Sequence, residues 1–207
     1  DKRAFFPPPG HGLSYINDSR RYMFKYSDKR YPEQYWSEIV ACAIGSMMGV
    51  DVPPAYPAIY SSREKSAALI EWFYEDGKQL SVLGGRFMQM LIPSFDMRLG
   101  TQHNFKTIRL LFHAFHKKGM AQDWLIQWAK GLVFDTMIGN TDRHQNNWAL
   151  LFNDTKVEMA PWFDNGTSLG YERWERHAQN WSSTRLDQYL YNGEHHLRWN
   201  VLDQNRC

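Results

Sequence analysis

Apolar residues recur along this chain at two spacings, and where the spacing changes, the element changes. Arg21-Tyr22-Met23-Phe24-Lys25-Tyr26 reads as a strand after the polar Asn17-Asp18-Ser19 turn. From Tyr31 to Met48, the residues Trp36, Ile39, Val40, Ala43, Ile44 and Met47 recur at three and four, which predicts a helix. Pro32 and Glu33 suit its first turn and Gly49 its left-handed cap. Glu38 lies off this stripe, beside Ala41, Cys42 and Gly45. The proline-bearing stretch Val50 to Tyr60 leads into a strand-like region, and Ala67 to Phe73 is a short apolar strand closed by Glu75-Asp76-Gly77. Phe105, Ile108, Leu111, Phe112 and Phe115 mark a second helix ended by Gly119. Trp124, Leu125, Trp128, Leu132 and Met137 mark a third that runs into Gly139, and both stripes read as core. Two short apolar runs, Trp148 to Phe152 and Val157 to Pro161, flank an Asn153-Asp154 turn. The tail from Tyr171 to Cys207 is polar with scattered aromatics (Trp174, Trp181, Tyr189, Tyr191, Trp199), helical over Leu186 to Leu190 and stopped at Tyr191-Asn192-Gly193. The pattern is α+β, with most strand-like segments in residues 1–75 and mainly helical stripes over 76–207.

Composition narrows this little. A chain of 207 residues, 43% hydrophobic and 15% aromatic with nine Trp, is long enough to bury a sizeable core. A net charge of +2 gives no bulk electrostatic reason to expect direct nucleic-acid binding. Cys42 and Cys207 lack metal spacing, so a reduced, cytoplasmic setting is expected. No apolar run is long enough for a membrane span, and no signal peptide is visible. The first residue is Asp rather than Met, so a piece of something longer is expected.

The chemistry concentrates between Gly139 and Gly170. Strands joined by a turn are antiparallel, so the start of the first lies beside the end of the second. That geometry brings Asn147 and Asp164 together, with Asp142 on the same loop as Asn147. An oxygen pair able to hold magnesium, beside a separate carboxylate able to orient a hydroxyl, is what phosphoryl transfer from ATP requires.

Asp-x-x-x-x-Asn, a hairpin, then Asp-x-Gly resembles the catalytic centre of the protein-kinase-like superfamily. GNTDRHQNN and APWFDNGTSLG resemble bacterial HipA-like serine/threonine kinases, and NTDRHQNNW and FDNG are also similar to type II phosphatidylinositol 4-kinases. The resemblance implies a two-lobed kinase-like fold and transfer of phosphate from ATP with Mg2+ to a serine or threonine hydroxyl of a protein substrate. It also implies an antitoxin-like or regulatory partner. Asp142 would be the catalytic base, and Asn147 and Asp164 the metal ligands. Lys25 matches the lysine of the Phe-Lys segment, and Glu38, in Trp-Ser-Glu, the helix glutamate that braces it. Backbone groups of Glu71, Trp72 and Phe73 would meet the adenine edge, and Ser14 is the nearest match to a regulatory serine.

Read without the resemblance, Lys25 is also a solvated lysine on an edge strand and Glu38 a surface glutamate. Arg143 suits either a phosphate or a loop carboxylate, and His144 reads as a structural residue of its loop. Gly10-His11-Gly12 is not a full Gly-x-Gly-x-x-Gly, and no Ala-Pro-Glu element follows Asp164. The rival readings are a phosphoinositide kinase and a non-catalytic pseudokinase. The pairs His195-His196 and His113-x-x-His116 raise a zinc hydrolase as a further reading, which is disfavoured. A catalytic zinc site usually adds a third ligand at recognisable spacing to such a His-x-x-His pair, His113-x-x-His116 has no Glu inside it, and Gly-x-Ser-x-Gly is absent.

Overall fold

The computed structural model describes residues 2–27, 34–60, 64–116, 123–170, 179–200 and 202. Tyr31, Pro32, Glu33, Gly119, Trp174 and Cys207, named above, lie outside these residues.

The first lobe is a four-stranded antiparallel sheet with one helix against it. Strands β1 (Lys2–Phe5), β2 (Tyr22–Tyr26), β3 (Ala55–Tyr60) and β4 (Lys65–Glu71) lie in the order β1-β2-β4-β3. Lys25 is paired with Lys2 on one side and Ala68 on the other, and Ala67 and Ala68 are fully buried. β3 is an outer strand, which is why it can hold Pro57, a residue that removes a ladder donor and argues against a central strand.

Helix α1 (Gln34–Met48) packs on this sheet through the face opposite to the one its apolar periodicity suggests. An apolar stripe is ordinarily the buried one, yet Trp36, Val40, Ala43 and Met47 are exposed, with Ile39 and Ile44 only half-buried. The buried residues are Ser37, Glu38, Ala41 and Gly45. The reason is distance. A Cβ at Gly45 would stand 2.5 Å from Val52 Cγ2, so the inward face has room only for small residues and for the one glutamate that crosses to β2. The surface reading of Glu38 is thereby corrected: it is buried.

The second lobe opens with β5 (Leu80–Leu83), which continues into α2 (Gly84–Leu91). Helices α3 (Phe105–His116) and α4 (Trp124–Ile138) follow, then β6 (Ala149–Phe152), β7 (Val157–Met159) and α5 (Ser183–Tyr191). The hairpin forms as its sequence predicts, with Leu150 opposite Met159 and Phe152 opposite Val157. Its turn is closed by Asn153 Oδ1, which accepts from the N–H groups of Thr155 (3.0 Å) and Lys156 (2.9 Å). β5 pairs with the outer side of β6 and was not foreseen; four residues with Leu80 pointing outward carry no clear alternation. The α3 stripe is core as expected, with Ile108, Leu111 and Phe112 buried. The α4 stripe needs correcting: Trp128 is buried, but Leu125 and Met137 are exposed, and the inward face adds Gly131, Phe134, Asp135 and Ile138. A helix apolar on almost every side does not declare its inner face by periodicity.

The core is aromatic, and it grips the hairpin at both ends. Trp128 of α4 stands edge-on to Trp148 (5.4 Å between centroids) and to Trp162 (5.2 Å). Trp148 follows Asn147 directly and Trp162 lies two residues before Asp164, so both candidate metal ligands hang from anchored rings. Ala41 and Val50 of the first lobe join the same core, which ties the lobes together beneath the cleft. Among the described residues no helix is long and apolar enough to cross a membrane.

Candidate active site

Three charged groups from three distant parts of the chain meet between the lobes. Lys25 Nζ on β2 lies 2.5 Å from Glu38 Oε1 on α1 and 2.5 Å from Asp164 Oδ1 after the hairpin. Burial alone would depress the Lys25 ammonium, but the Glu38 and Asp164 carboxylates outweigh it and hold its pKa above the ordinary lysine value. Burial would likewise raise Asp164, yet Lys25, and then Lys2 at 3.2 Å from Oδ2, keep it well below the usual carboxylate range. The solvated edge-strand reading of Lys25 is therefore corrected.

The backbone around Asp164 is shaped for this contact. Asp164 has φ of 58°, a left-handed conformation that Asp tolerates better than most residues. The other carboxylate oxygen of Glu38, Oε2, accepts the N–H of Asn165 at 3.1 Å. A Cβ at Gly166 would lie 3.0 Å from Lys25 Nζ and 3.3 Å from Glu38 Oε1, so the glycine of Asp-x-Gly leaves room for the ion pair. Ser37 Oγ also donates to the carbonyl of Ser168 at 2.9 Å, a second tie between α1 and this loop.

Asp142 and Asn147 sit on the loop that α4 delivers. Gly139 ends the helix at φ of 62°, and its N–H and that of Asn140 return to carbonyls of the last turn. Asn140 Oδ1 accepts the N–H of Asp142 at 3.0 Å and the hydroxyl of Thr167 at 3.1 Å, joining the Asp142 loop to the loop after Asp164. Asn147 Nδ2 donates to the Asp142 carbonyl at 2.7 Å, which fixes the rotation of its amide. His144 Nδ1 accepts the N–H of Asn146 at 3.1 Å, a contact within the loop.

Beneath the loop lies Arg143, with no exposed surface. Its Nε and Nη2 form a two-pronged pair with Asp135 of α4 at 3.0 and 2.8 Å. Nη1 donates to the carbonyls of both Asn147 (2.8 Å) and Phe163 (2.5 Å), and Nη2 also reaches Asn165 Oδ1 at 2.7 Å. One side chain thus sets the residue chosen for metal on the first loop beside the residue preceding Asp164 on the second. Sequence reading left Arg143 between a phosphate and a loop carboxylate; its carboxylate partner is Asp135 on a helix, and the side chain has no surface open to a phosphate. Burial would raise Asp135, but Arg143 and His195 hold it below its ordinary value.

The remaining expectations fall at the rim. Phe73 stacks on Phe163 at 4.8 Å, so the segment joining the lobes touches the residue before Asp164. The N–H of Glu71 donates to the Pro54 carbonyl and that of Trp72 to the Arg21 carbonyl, each at 2.8 Å, so sheet pairing takes both donors. The Glu71 side chain accepts from the Tyr22 hydroxyl at 3.2 Å, and Arg21 covers the Trp72 ring at 3.9 Å. Ser14 is exposed in the β1–β2 loop, whose His11 lies 2.6 Å from Asp18. Sequence reading missed Asp135, Asn140, Asn165 and Lys2. A single carboxylate inside the apolar run Leu132-Val133-Phe134-Asp135 was the available signal for Asp135, because a buried charge requires a partner.

In fold, the chain is similar to the crystal structure of CtkA, a proinflammatory kinase of Helicobacter pylori, with a TM-score of 0.73 and 22% identity over 95% of this chain and 66% of that one. A likeness with a TM-score of 0.47 and 13% identity is found to HipA of Shewanella oneidensis, seen in a toxin–antitoxin complex with HipB and operator DNA. It covers 97% of this chain and 52% of that one. The chain therefore spans just under two thirds and about half of the length of these proteins. A comparison with curated proteins finds no match. The α+β, two-lobed architecture is a kinase-like fold, and with the HipA-like C-terminal domain matched over residues 13–204, the chain belongs to that family.

Proposed function

We propose that this chain is an ATP- and Mg2+-dependent kinase that phosphorylates a serine or threonine hydroxyl of a protein. The observation that carries this reading is the Lys25–Glu38–Asp164 contact across the lobes. Taking Lys25 and Glu38 out of water is costly, and unlike a wholly enclosed ion pair the cluster leaves Asp164 partly open to the cleft, where a ligand can reach it. A phosphate-binding cleft needs a lysine held by a glutamate and an ionised aspartate beside it.

The donor set suits magnesium. Asp164 stays ionised far below neutral pH, and Lys2 already places a cation on its outer oxygen. Among the described residues no group of three or more His, Cys, Asp or Glu forms a protein-only cage. Magnesium usually takes only one or two carboxylates and completes its shell with water and substrate phosphates. Asn147 and Asp164 would hold it, and when bound it neutralises charge on the phosphates. Lys25, steadied by Glu38, binds the α- and β-phosphates. Asp142 accepts a hydrogen bond from the acceptor hydroxyl and aligns it for in-line attack, the positional work that dominates phosphoryl transfer. With the Glu71 and Trp72 donors already used in the sheet, the adenine-facing donor is left to Phe73.

Transfer of labelled γ-phosphate from Mg-ATP to the protein itself or to lysate proteins, lost in Asp142→Asn, is the expected result. Labelling confined to extracted lipid would replace the protein acceptor by a phosphoinositide. ATP binding indifferent to magnesium, without transfer, would make this a pseudokinase.

A further inference from the structure

The polar tail after α5 turns back beneath the catalytic loop, where it is firmly fixed. Leu197 is buried, and Trp199 stacks on Phe105 at 5.0 Å. The first N–H groups of α3, those of Phe105 and Lys106, donate to the carbonyls of Arg198 (2.8 Å) and Trp199 (3.2 Å), satisfying donors that a helix start leaves open. On the same strap, His195 Nδ1 accepts the N–H of Leu197 at 3.0 Å. That bond puts the ring proton on Nε2, which lies 3.1 Å from Asp135 Oδ2. The tail is thus pinned to the carboxylate that also holds Arg143.

With His195 pinned inward, its neighbour falls on the catalytic side. His196 Nε2 lies 3.5 Å from Asp142 Oδ1, and its ring stands edge-on to His144, 6.0 Å between centroids. The main chain of Asp142 is held by Asn140 and Asn147. Its carboxylate, however, has 39% of its side-chain surface exposed, and such a group turns freely unless a neighbour stops it. Catalytic groups act only within a narrow range of orientation, about 10–20°.

We propose that His196 is a positioning residue for the catalytic aspartate. Its contact with Oδ1 orients the carboxylate so that Oδ2 faces the acceptor hydroxyl, and the 195–199 strap is therefore part of the active site rather than a trailing segment. This rests on the kinase reading of Asp142. The pair His195-His196, which has no metal spacing, acquires a use in which one ring anchors and the other orients.

The test compares wild type, His196→Ala and His196→Gln as whole chains in steady-state phosphate transfer. His196→Ala is expected to lower kcat about 10- to 100-fold, the scale of a misplaced catalytic group. KM for ATP and the melting temperature should change little. His196→Gln, whose amide N–H has nearly the same reach, should recover most of the loss. An Ala variant with kcat within twofold of wild type overturns the proposal, as does a loss that glutamine leaves unrepaired or one matched by a fall in melting temperature. Carboxyl-carbon NMR of Asp142, assigned through Asp142→Asn, provides an arm that needs no turnover. The signal should move in His196→Ala, and an unmoved signal overturns the proposal. If wild type transfers no phosphate, the kinase reading fails, while this arm still decides the His196 contact.

Discussion

Two ionic clusters adjoin the 140–147 and 163–168 loops, and they differ in one respect. Arg143 and Asp135 are wholly enclosed, and each nitrogen of the guanidinium has a protein acceptor. Lys25, Glu38 and Asp164 are joined just as tightly, but Asp164 is partly open and its outer oxygen is met by Lys2, itself half in solvent. The closed cluster has nothing left to bind with. The open one keeps a carboxylate edge and an ammonium within reach of a ligand. Similar charges in similar proximity thus form a closed weld in one place and, under the proposed function, a binding site in the other, with accessibility the difference between them.

The sharpest way to break this contrast is to remove one charge from each. Lys25→Met and Asp164→Asn should each lower phosphate transfer by about 100-fold or more, the scale of losing a group aimed at developing charge, while the chain remains folded by circular dichroism. If either variant transfers at the wild-type rate, the open cluster is not a ligand site. Arg143→Met should instead act on stability, costing about 3–5 kcal/mol because it strands the Asp135 charge. Urea denaturation measures this, and an unchanged midpoint would mean that the closed cluster is no weld.

Acid sharpens the comparison further. His103 is buried, its Nε2 accepts the indole N–H of Trp148 at 3.0 Å, and burial, aided by the neighbouring His195, His196 and His144, lowers its pKa to about 3. An unfolded histidine titrates near ~6.5. Its contribution is therefore complete above that value and is lost as pH falls toward the folded pKa, by up to about 1.4 kcal/mol per pH unit. Asp164 and Asp135, both lowered in the fold, add their losses only below the ordinary carboxylate pKa. Denaturation midpoints should thus decline in two stages, and His103→Gln should remove the first. A single decline beginning only near pH 4 would contradict this. The smallest effect belongs to Lys2→Gln: an exposed pair contributes about 0–1 kcal/mol, so stability should barely move while KM for ATP shifts modestly. A large loss of stability would show that Lys2 belongs to the fold instead.

What the sequence made legible follows the same division. Asp142, Asn147 and Asp164 could be placed because a hairpin converts separation along the chain into proximity, and the Asn153 turn fixed that hairpin locally. Lys25 and Glu38 were reached through resemblance. Periodicity alone favoured the wrong face of α1, because the close approach of Val52 and Phe134 at Gly45 admits only small residues on the face that carries Glu38. The Arg143 cluster was only half legible. Its partners, Asp135, Asn165 and the Phe163 carbonyl, come from three elements, and no local spacing records their convergence. β5 and the 195–199 strap were hidden for the same reason, since both are defined by what they pair with rather than by their own pattern.

The most direct measurement is calorimetric titration of the wild type, Lys25→Met and Asp164→Asn with ATP, each with and without Mg2+. Magnesium should strengthen wild-type binding, Lys25→Met should weaken binding at least tenfold, and Asp164→Asn should lose the magnesium effect. Equal affinity in all three proteins, or a magnesium effect that survives in Asp164→Asn, would contradict the assignment of the open cluster as the nucleotide and metal site.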